Sequence, residues 1–295
     1  MEVNHLLDAH MDGHHLYNFG LMLTERELKK FKGIKYVCMQ GSGIRTFVLS
    51  KLLAEHLSEI NEVYFTPMNL FTSSRFTAYR VGDILLVSHG MGSTSILTLL
   101  HNLTKLMYYA GNLEVEYIRL GTCGGLGIEP GSIIVTDTAY MPDLTPGFKM
   151  WALDQEIIYP TTMDQELNAR ILKAQPKNEE AGIYVGNTMT CDDFYLGQAR
   201  FDGAIRPKYT PEDRMQYFKK LRELNILNIE MEGTALAGFC ARAKIPACMI
   251  SVTLINRLET DQITATEELL QAYSYRLQNI IFNYLKPSLC NFDIT

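Results

Sequence analysis

The sequence predicts a single α/β domain built around a largely buried sheet, and two observations carry that prediction. Short apolar runs alternate with amphipathic stretches along nearly the whole chain, and several of the runs end directly in glycine-rich turns. The apolar runs at 35–39, 84–88, 117–120, 133–136 and 248–254 have the length and bounding turns of buried strands. Amphipathic stretches at 44–58, 93–109, 215–224, 233–243 and 266–284 predict helices. In the second of these, Ile96, Leu99, Leu100, Leu103 and Leu106 share one stripe, as a helix packed on a sheet requires. No internal repeat, low-complexity tract or Pro/Gly/Ser linker divides the 295 residues. One domain over 1–295 follows, with the polar residues 1–15 expected to form a flexible N-terminal arm.

Composition narrows the class of function. A hydrophobic fraction of 47% and a charged fraction of 20% fit a globular protein with a sizeable core. The net charge of −6, without a basic cluster, argues against nucleic acid as a partner. No signal peptide and no membrane-spanning apolar run are visible, so a cytoplasmic location is expected. The six cysteines are scattered, with no CxxC pair and no Cys/His ligand spacing. They read as reduced, buried thiols, and no metal site is expected.

Three of the predicted strands run into the turns QGSGIR, HGMGS and GTCGGLG. Ligands of open α/β sheets sit beyond the carboxyl ends of strands, where glycine lets the backbone approach a bound group. Arg45 stands one turn into the first predicted helix, after Gly41-Ser42-Gly43, where backbone N–H groups and a guanidinium together favour an anion. The segment is neither a dinucleotide fingerprint nor a Walker A loop, since the third glycine and the Gly-Lys-Ser/Thr are both missing. Arg119 interrupts an apolar strand and needs either a ligand anion or an internal carboxylate, Glu230 or Glu232. Those two carboxylates are separated by Met231 and point to opposite sides if the segment is extended, leaving one to face a cavity and grip vicinal hydroxyls. The alternative is an ordinary solvated loop.

The stretch 188–200, TMTCDDFYLGQAR, places Phe194, Gln198 and Arg200 within seven residues. A ring to stack on, an amide that both donates and accepts, and a guanidinium that donates to a carbonyl suit a planar heterocycle with an imide N–H between two carbonyls. Uracil is such a heterocycle; a polar surface loop is the competing reading.

With those pieces in order, the chain resembles the uridine phosphorylases, animal-type members of the nucleoside phosphorylase superfamily, from about residue 16 to about residue 285. The segments that carry the resemblance are KYVCMQGSGIR, SHGMGSTSI, IRLGTCGGLGIEPGSIIVTD, GNTMTCDDFYLGQARFDGA, NIEMEG and VTLINRLETDQI. The resemblance implies a three-layer α/β/α fold with a central mixed sheet. It also implies reversible phosphorolysis of uridine to uracil and ribose 1-phosphate, in pyrimidine salvage. Gly41, Arg45, Arg119 and Thr122 fall on phosphate-binding positions, and Arg75 matches an arginine that reaches phosphate from the neighbouring subunit, with Arg80 the weaker choice. Met231 and Glu232 match ribose contacts. Phe194, Gln198, Arg200 and Gly124 match the uracil pocket, Leu254 and Ile255 its apolar wall, and Arg257 an arginine on a mobile loop near the base. Arg119, Glu232, Gln198 and Arg200 are the residues expected to carry catalysis. A homodimer is implied, without cofactor, phosphate being a co-substrate.

One position departs from the family pattern. A histidine near the N-terminus usually crosses the dimer interface to the ribose 5′-hydroxyl, and Asn18 stands in its place here, with His14 and His15 just upstream. The rival expectations are a phosphorylase of another nucleoside and a catalytically silent nucleoside-binding paralogue.

Overall fold

Eight strands hydrogen-bond into one mixed sheet: β1 (Tyr36–Gln40), β2 (Ala78–Val81), β3 (Ile84–Ser88), β4 (Glu116–Gly125), β5 (Ile133–Tyr140), β6 (Ile183–Thr190), β7 (Ile226–Glu230) and β8 (Ala247–Asn256). Their order across the sheet is β7-β6-β5-β8-β4-β1-β3-β2. The helices α1 (Gly43–Asn61), α2 (Ser93–Tyr109), α3 (Gln165–Lys173), α4 (Pro211–Glu223), α5 (Gly233–Ala243) and α6 (Glu267–Leu289) flank it. The computed structural model describes residues 1–4, 7, 15–62, 64–176 and 182–290. Most of the expected N-terminal arm, His14 included, therefore lies outside the described residues. At its start, the Glu2 N–H donates to the Ala243 carbonyl at 2.6 Å.

The sheet is apolar on both faces, which is why its strands read as continuous apolar runs rather than as alternating patterns. Successive side chains still divide between the two sides. Val37 and Met39 of β1 and Leu85 and Val87 of β3 join one core with Leu99, Leu100 and Leu103 of α2 and Leu236 of α5. The intervening Cys38 and Leu86 join the other, with Leu49 and Leu53 of α1, Leu167 and Ile171 of α3, and Ile280 and Ile281 of α6. Helix, sheet and helix thus form the three layers expected.

The strand at 84–88 and the helices at 93–109 and 233–243 occur with the predicted bounds. Most of the other elements run further at one end or both than periodicity shows, while β1 is shifted by one residue. β4 continues past Leu120 through Gly121, Thr122, Cys123, Gly124 and Gly125, because partners on both sides supply the hydrogen bonds that its small residues do not signal. Periodicity does not reveal β6; its segment IYVGNTMT mixes exposed and buried positions and is fixed by parallel pairing to β5 and β7. Nor does it reveal α3, nine residues long, whose N-cap Asp164 accepts from the Leu167 N–H.

β7 also pairs antiparallel with β4, Asn228 opposite Gly125 and Ile229 opposite Gly124. The strands β4, β8, β5, β6 and β7 therefore close into a ring, and closure brings the end of β7 against the end of β4. Glycine is needed at this seam: a Cβ on Gly125 would stand 2.8 Å from the Ile128 carbonyl oxygen and 3.1 Å from Thr253 Cγ2. Gly125→Ala is expected to lower the unfolding free energy by about 1–3 kcal/mol, read from urea denaturation, as overpacking does elsewhere. An unchanged midpoint would show that the seam has room for a side chain.

Candidate active site

β1, β3, β4 and β8 run parallel to one another, so their carboxyl ends share one side of the sheet. A cavity of about 360 Å³ opens there. Gly41, Arg45, Arg119, Thr122, Gly124, Phe194, Gln198, Arg200, Met231, Glu232, Leu254, Ile255 and Arg257 all line it, although their positions span most of the chain. Residues that sequence reasoning did not single out also line it, among them His89, Gly90, Met91, Cys123 and Ile263, and Glu230, read from the sequence as a partner for Arg119, lines it too. The HGMGS turn after β3 was the signal for the first three.

One end of the cavity is cationic. Gly41 follows β1, and Arg45 lies in the first turn of α1. A Cβ on Gly41 would sit 3.4 Å from Arg45 Nη2 and 3.7 Å from His89 Cε1, which places the three on one wall. Burial, with the charge of Arg119 nearby, holds the Arg45 pKa below its ordinary value. Two guanidiniums that oppose each other at a helix N-terminus are relieved by an anion. The His89 imidazole is fully buried, and burial together with Arg119 and Arg45 keeps it neutral at pH 7. Burial pushes the Cys123 thiol up to about 12, so it is not a thiolate nucleophile.

In the middle, the two carboxylates divide their work. Glu230 ends β7 and is saturated, accepting from the Glu232 N–H at 2.8 Å, the Gly233 N–H at 2.9 Å and Thr190 Oγ1 at 2.7 Å. It thereby caps the N-terminus of α5. Its Oε2 also stands 3.1 Å from Arg119 Nη1, while Arg119 Nη2 donates to Glu232. Both carboxylates offered by the sequence as internal partners of Arg119 are thus engaged. The other Glu232 oxygen accepts from the Gly92 N–H at 2.5 Å, at the N-terminus of α2. Gly92 adopts φ +86°, a conformation that favours glycine.

The far end is flat and polar-edged. A β-bulge in β8 sets Thr253 opposite Cys123 and Ile255 opposite Gly124, leaving Leu254 as the extra residue, and Leu254 and Ile255 both line the cavity. The Arg200 guanidinium lies 4.5 Å from the Phe194 ring centroid and is held bidentate by Asp202, at 2.8 and 2.6 Å. Arg257, just past the end of β8, is 1% exposed, donating to the Gln198 carbonyl at 2.8 Å and to Asp261 at 3.1 Å. Its Nη1 also stands 3.5 Å from Gln198 Oε1. Gly124 leaves room for it, since a Cβ there would stand 2.7 Å from Arg257 Cγ.

Two of the expected residues lie elsewhere. Asn18 sits in the short turn Tyr17–Phe19, and Arg75 is exposed in a surface hollow beside Tyr17, Gly20 and Thr72. The two segments are pinned together: the Thr72 N–H donates to the Phe19 carbonyl at 3.0 Å and Thr72 Oγ1 to the Gly20 carbonyl at 2.7 Å. Arg80 is remote, its guanidinium spent on the carbonyls of Gly82, Lys30 and Lys32.

The chain belongs to the phosphorylase superfamily, whose model matches residues 35–286, the span that carries the sheet and most of the cavity. Uridine phosphorylase 1 of Mus musculus is 34% identical over 275 residues, 93% of this chain and 88% of that protein. Inactive uridine phosphorylase B of Schistosoma mansoni is 31% identical over 288 residues, 96% of this chain and 94% of that one. Among solved structures, uridine phosphorylase from Schistosoma mansoni in complex with uracil superposes with a TM-score of 0.89 at 33% identity, covering 97% of this chain and 98% of that one.

The two carboxylates differ in what they do for stability. Burial raises the Glu232 pKa, and the charge of Glu230 adds to this against the opposing pull of Arg119. A carboxyl whose pKa is raised by folding costs stability when ionised, that is, above its folded pKa. Glu232→Gln is therefore expected to leave the unfolding free energy at pH 7 unchanged or raised, with any gain shrinking as pH falls and Glu232 itself takes up a proton. Glu230→Gln, which strips acceptors from the cap of α5, should lower it by about 1–3 kcal/mol. Urea denaturation of both variants at pH 7 and pH 5 checks the ordering; a larger loss in the Glu232 variant would reverse these roles.

Proposed function

We propose that this chain catalyses the reversible phosphorolysis of uridine, giving uracil and ribose 1-phosphate. One observation carries the assignment: a single cavity is lined by Arg45 and Arg119, by Glu232 paired with Arg119, and by Phe194, Gln198 and Arg200. Phosphate binds against Gly41, Arg45, Arg119 and Thr122. Glu232 grips the 2′- and 3′-hydroxyls beside Met231, and uracil stacks at Phe194 with its polar edge on Gln198 and Arg200. The uracil complex of the similar Schistosoma mansoni structure supports uracil as the base.

Cleavage of the N-glycosidic bond builds positive charge on the sugar and negative charge on the base. Phosphate beneath the ring steadies the first, while Gln198, Arg200 and Arg257 steady the second. Glu232 fixes the sugar so that phosphate oxygen and C1′ meet in line. Both substrates compete with the resting pair: phosphate draws Arg119 away from Glu232, which frees the carboxylate for the ribose hydroxyls. Phosphate is a co-substrate, and the chemistry calls for no cofactor.

The working unit is a homodimer in which the partner supplies Arg75 and Asn18. Their position on one pinned surface, outside their own cavity, supports that arrangement. Pyrimidine salvage in the cytoplasm is the corresponding role; among the described residues no helix is long and apolar enough to cross a membrane. A second reading, a catalytically silent nucleoside-binding paralogue, has its support in the similarity to inactive uridine phosphorylase B and in Asn18.

One assay separates the two. Purified protein should consume uridine, but not cytidine, and only when phosphate is present. Arg119→Ala should lower kcat/KM for phosphate by about 10²–10³-fold, the usual cost of one well-placed donor. No turnover with phosphate would favour the silent paralogue, and turnover without it would indicate a hydrolase.

The residue at 18 has its own consequence. A neutral amide is shorter than an imidazole and holds the 5′-hydroxyl weakly, by about 1 kcal/mol or less. 5′-Deoxyuridine should thus be cleaved with kcat/KM close to that for uridine, and Asn18→His should restore selectivity for the hydroxyl without changing the KM for phosphate. A strong native preference for uridine would show that the contact is already made.

A further inference from the structure

The base end of the cavity is built by two segments far apart in sequence, and one carboxylate outside the cavity lining joins them. Asp261 follows the turn after β8. Its Oδ1 accepts from Arg257 Nε at 3.1 Å and stands 3.0 Å from Arg257 Nη2. Its Oδ2 accepts from Arg214 Nη1 at 2.9 Å and from the Phe201 N–H at 3.1 Å, while its backbone carbonyl accepts from Arg200 Nη2. Next to it, Gln262 Nε2 donates to Asp202, the carboxylate that holds Arg200, at 2.7 Å. The segment carrying Arg257 is in this way fastened to the segment carrying Gln198 and Arg200.

We infer that Asp261 is the positioning residue for the base pocket, setting the directions of Arg257, Gln198 and Arg200 at once without itself touching the nucleoside. The physical reason lies in burial. Arg257 is 1% exposed, and a buried guanidinium deprived of its carboxylate must find another acceptor or move toward water. Either movement takes Arg257 off the Gln198 carbonyl and amide, and Gln198 then loses the contact that orients it. Arg214 packs 4.7 Å from the Phe201 ring centroid and 5.8 Å from that of Phe218, so its release loosens the same wall from behind. The anion end shares none of these contacts. Arg45, Arg119 and Glu230 are held by β4, β7 and the start of α1, and do not depend on Asp261.

The inference rests on the uridine phosphorolysis proposed above, and the test distinguishes the two. In the full-length protein, Asp261→Asn and Asp261→Glu are compared with wild type for the KM of uridine, the KM of phosphate and kcat. The expected result is a rise of about 10-fold or more in the uridine KM, the size of one lost charge-assisted hydrogen bond, with the phosphate KM within about 2-fold of wild type. The Asp261→Glu variant keeps the charge but not the reach, so it should be impaired in the same direction; should the Asp261→Asn variant not fold, the glutamate variant carries the test. A uridine KM unchanged in the folded variants overturns the role of Asp261, as does a parallel rise in both KM values, which would mark a general structural defect. Wild-type protein without phosphate-dependent uridine cleavage would instead remove the functional reading on which the inference rests.

Discussion

A buried cation set inside a strand is the constraint around which this molecule is arranged. Arg119 occupies the apolar run of β4, 3% exposed, where an unpaired guanidinium would not be tolerated. Its compensation comes from Glu230 and Glu232, more than a hundred residues away, and they arrive only because β7 closes back onto β4. Closure depends in turn on the glycines that lengthen β4 past its apolar run. The backbone N–H groups at the starts of α2 and α5 supply the remaining donors to the same two carboxylates. Ring closure, helix starts and the ionic cluster are therefore one structural fact seen from three sides.

Such a cluster is a poor way to gain stability, because desolvating its charges offsets most of what their attraction returns. Apolar residues of similar volume would serve the core as well or better. Its retention at the strand ends makes sense if the charges are exchangeable: an anion can take the guanidinium, and hydroxyls can take the carboxylate. Glu230 is the fixed member, tied to the cap of α5. Glu232, with burial raising its pKa, is the member held in readiness.

The two ends of the cavity use arginine differently. Arg45 meets another cation, and its environment disfavours its own charge. Arg200 and Arg257 lie in a lattice with Asp202 and Asp261, where each guanidinium is held in direction by a carboxylate. The first arrangement suits a free, charged group; the second suits the edge of a neutral ring, where direction matters more than net charge.

The sequence by itself determined the α/β class, the main parallel strands and their flanking helices, because both faces of the sheet are apolar and the runs are unmistakable. Glycine turns, an arginine inside a strand and the aromatic–amide–guanidinium set marked Arg45, Arg119, Phe194, Gln198 and Arg200 as anomalies, while Thr122, Gly124, Leu254, Ile255 and Arg257 were marked only by the family resemblance. The sequence left β6 and α3 unseen, as short or half-exposed elements carry little periodic signal and are held by their neighbours. His89 looked like an ordinary residue of a turn. Asp261, about sixty positions from Arg200, carries no mark of the pairing that makes it matter. Only the tertiary structure decided these, and it decided also which carboxylate caps a helix and which faces the cavity. Sequence records the chemistry a residue brings, whereas partnership is a matter of distance, and distance is set by how the ring of strands closes.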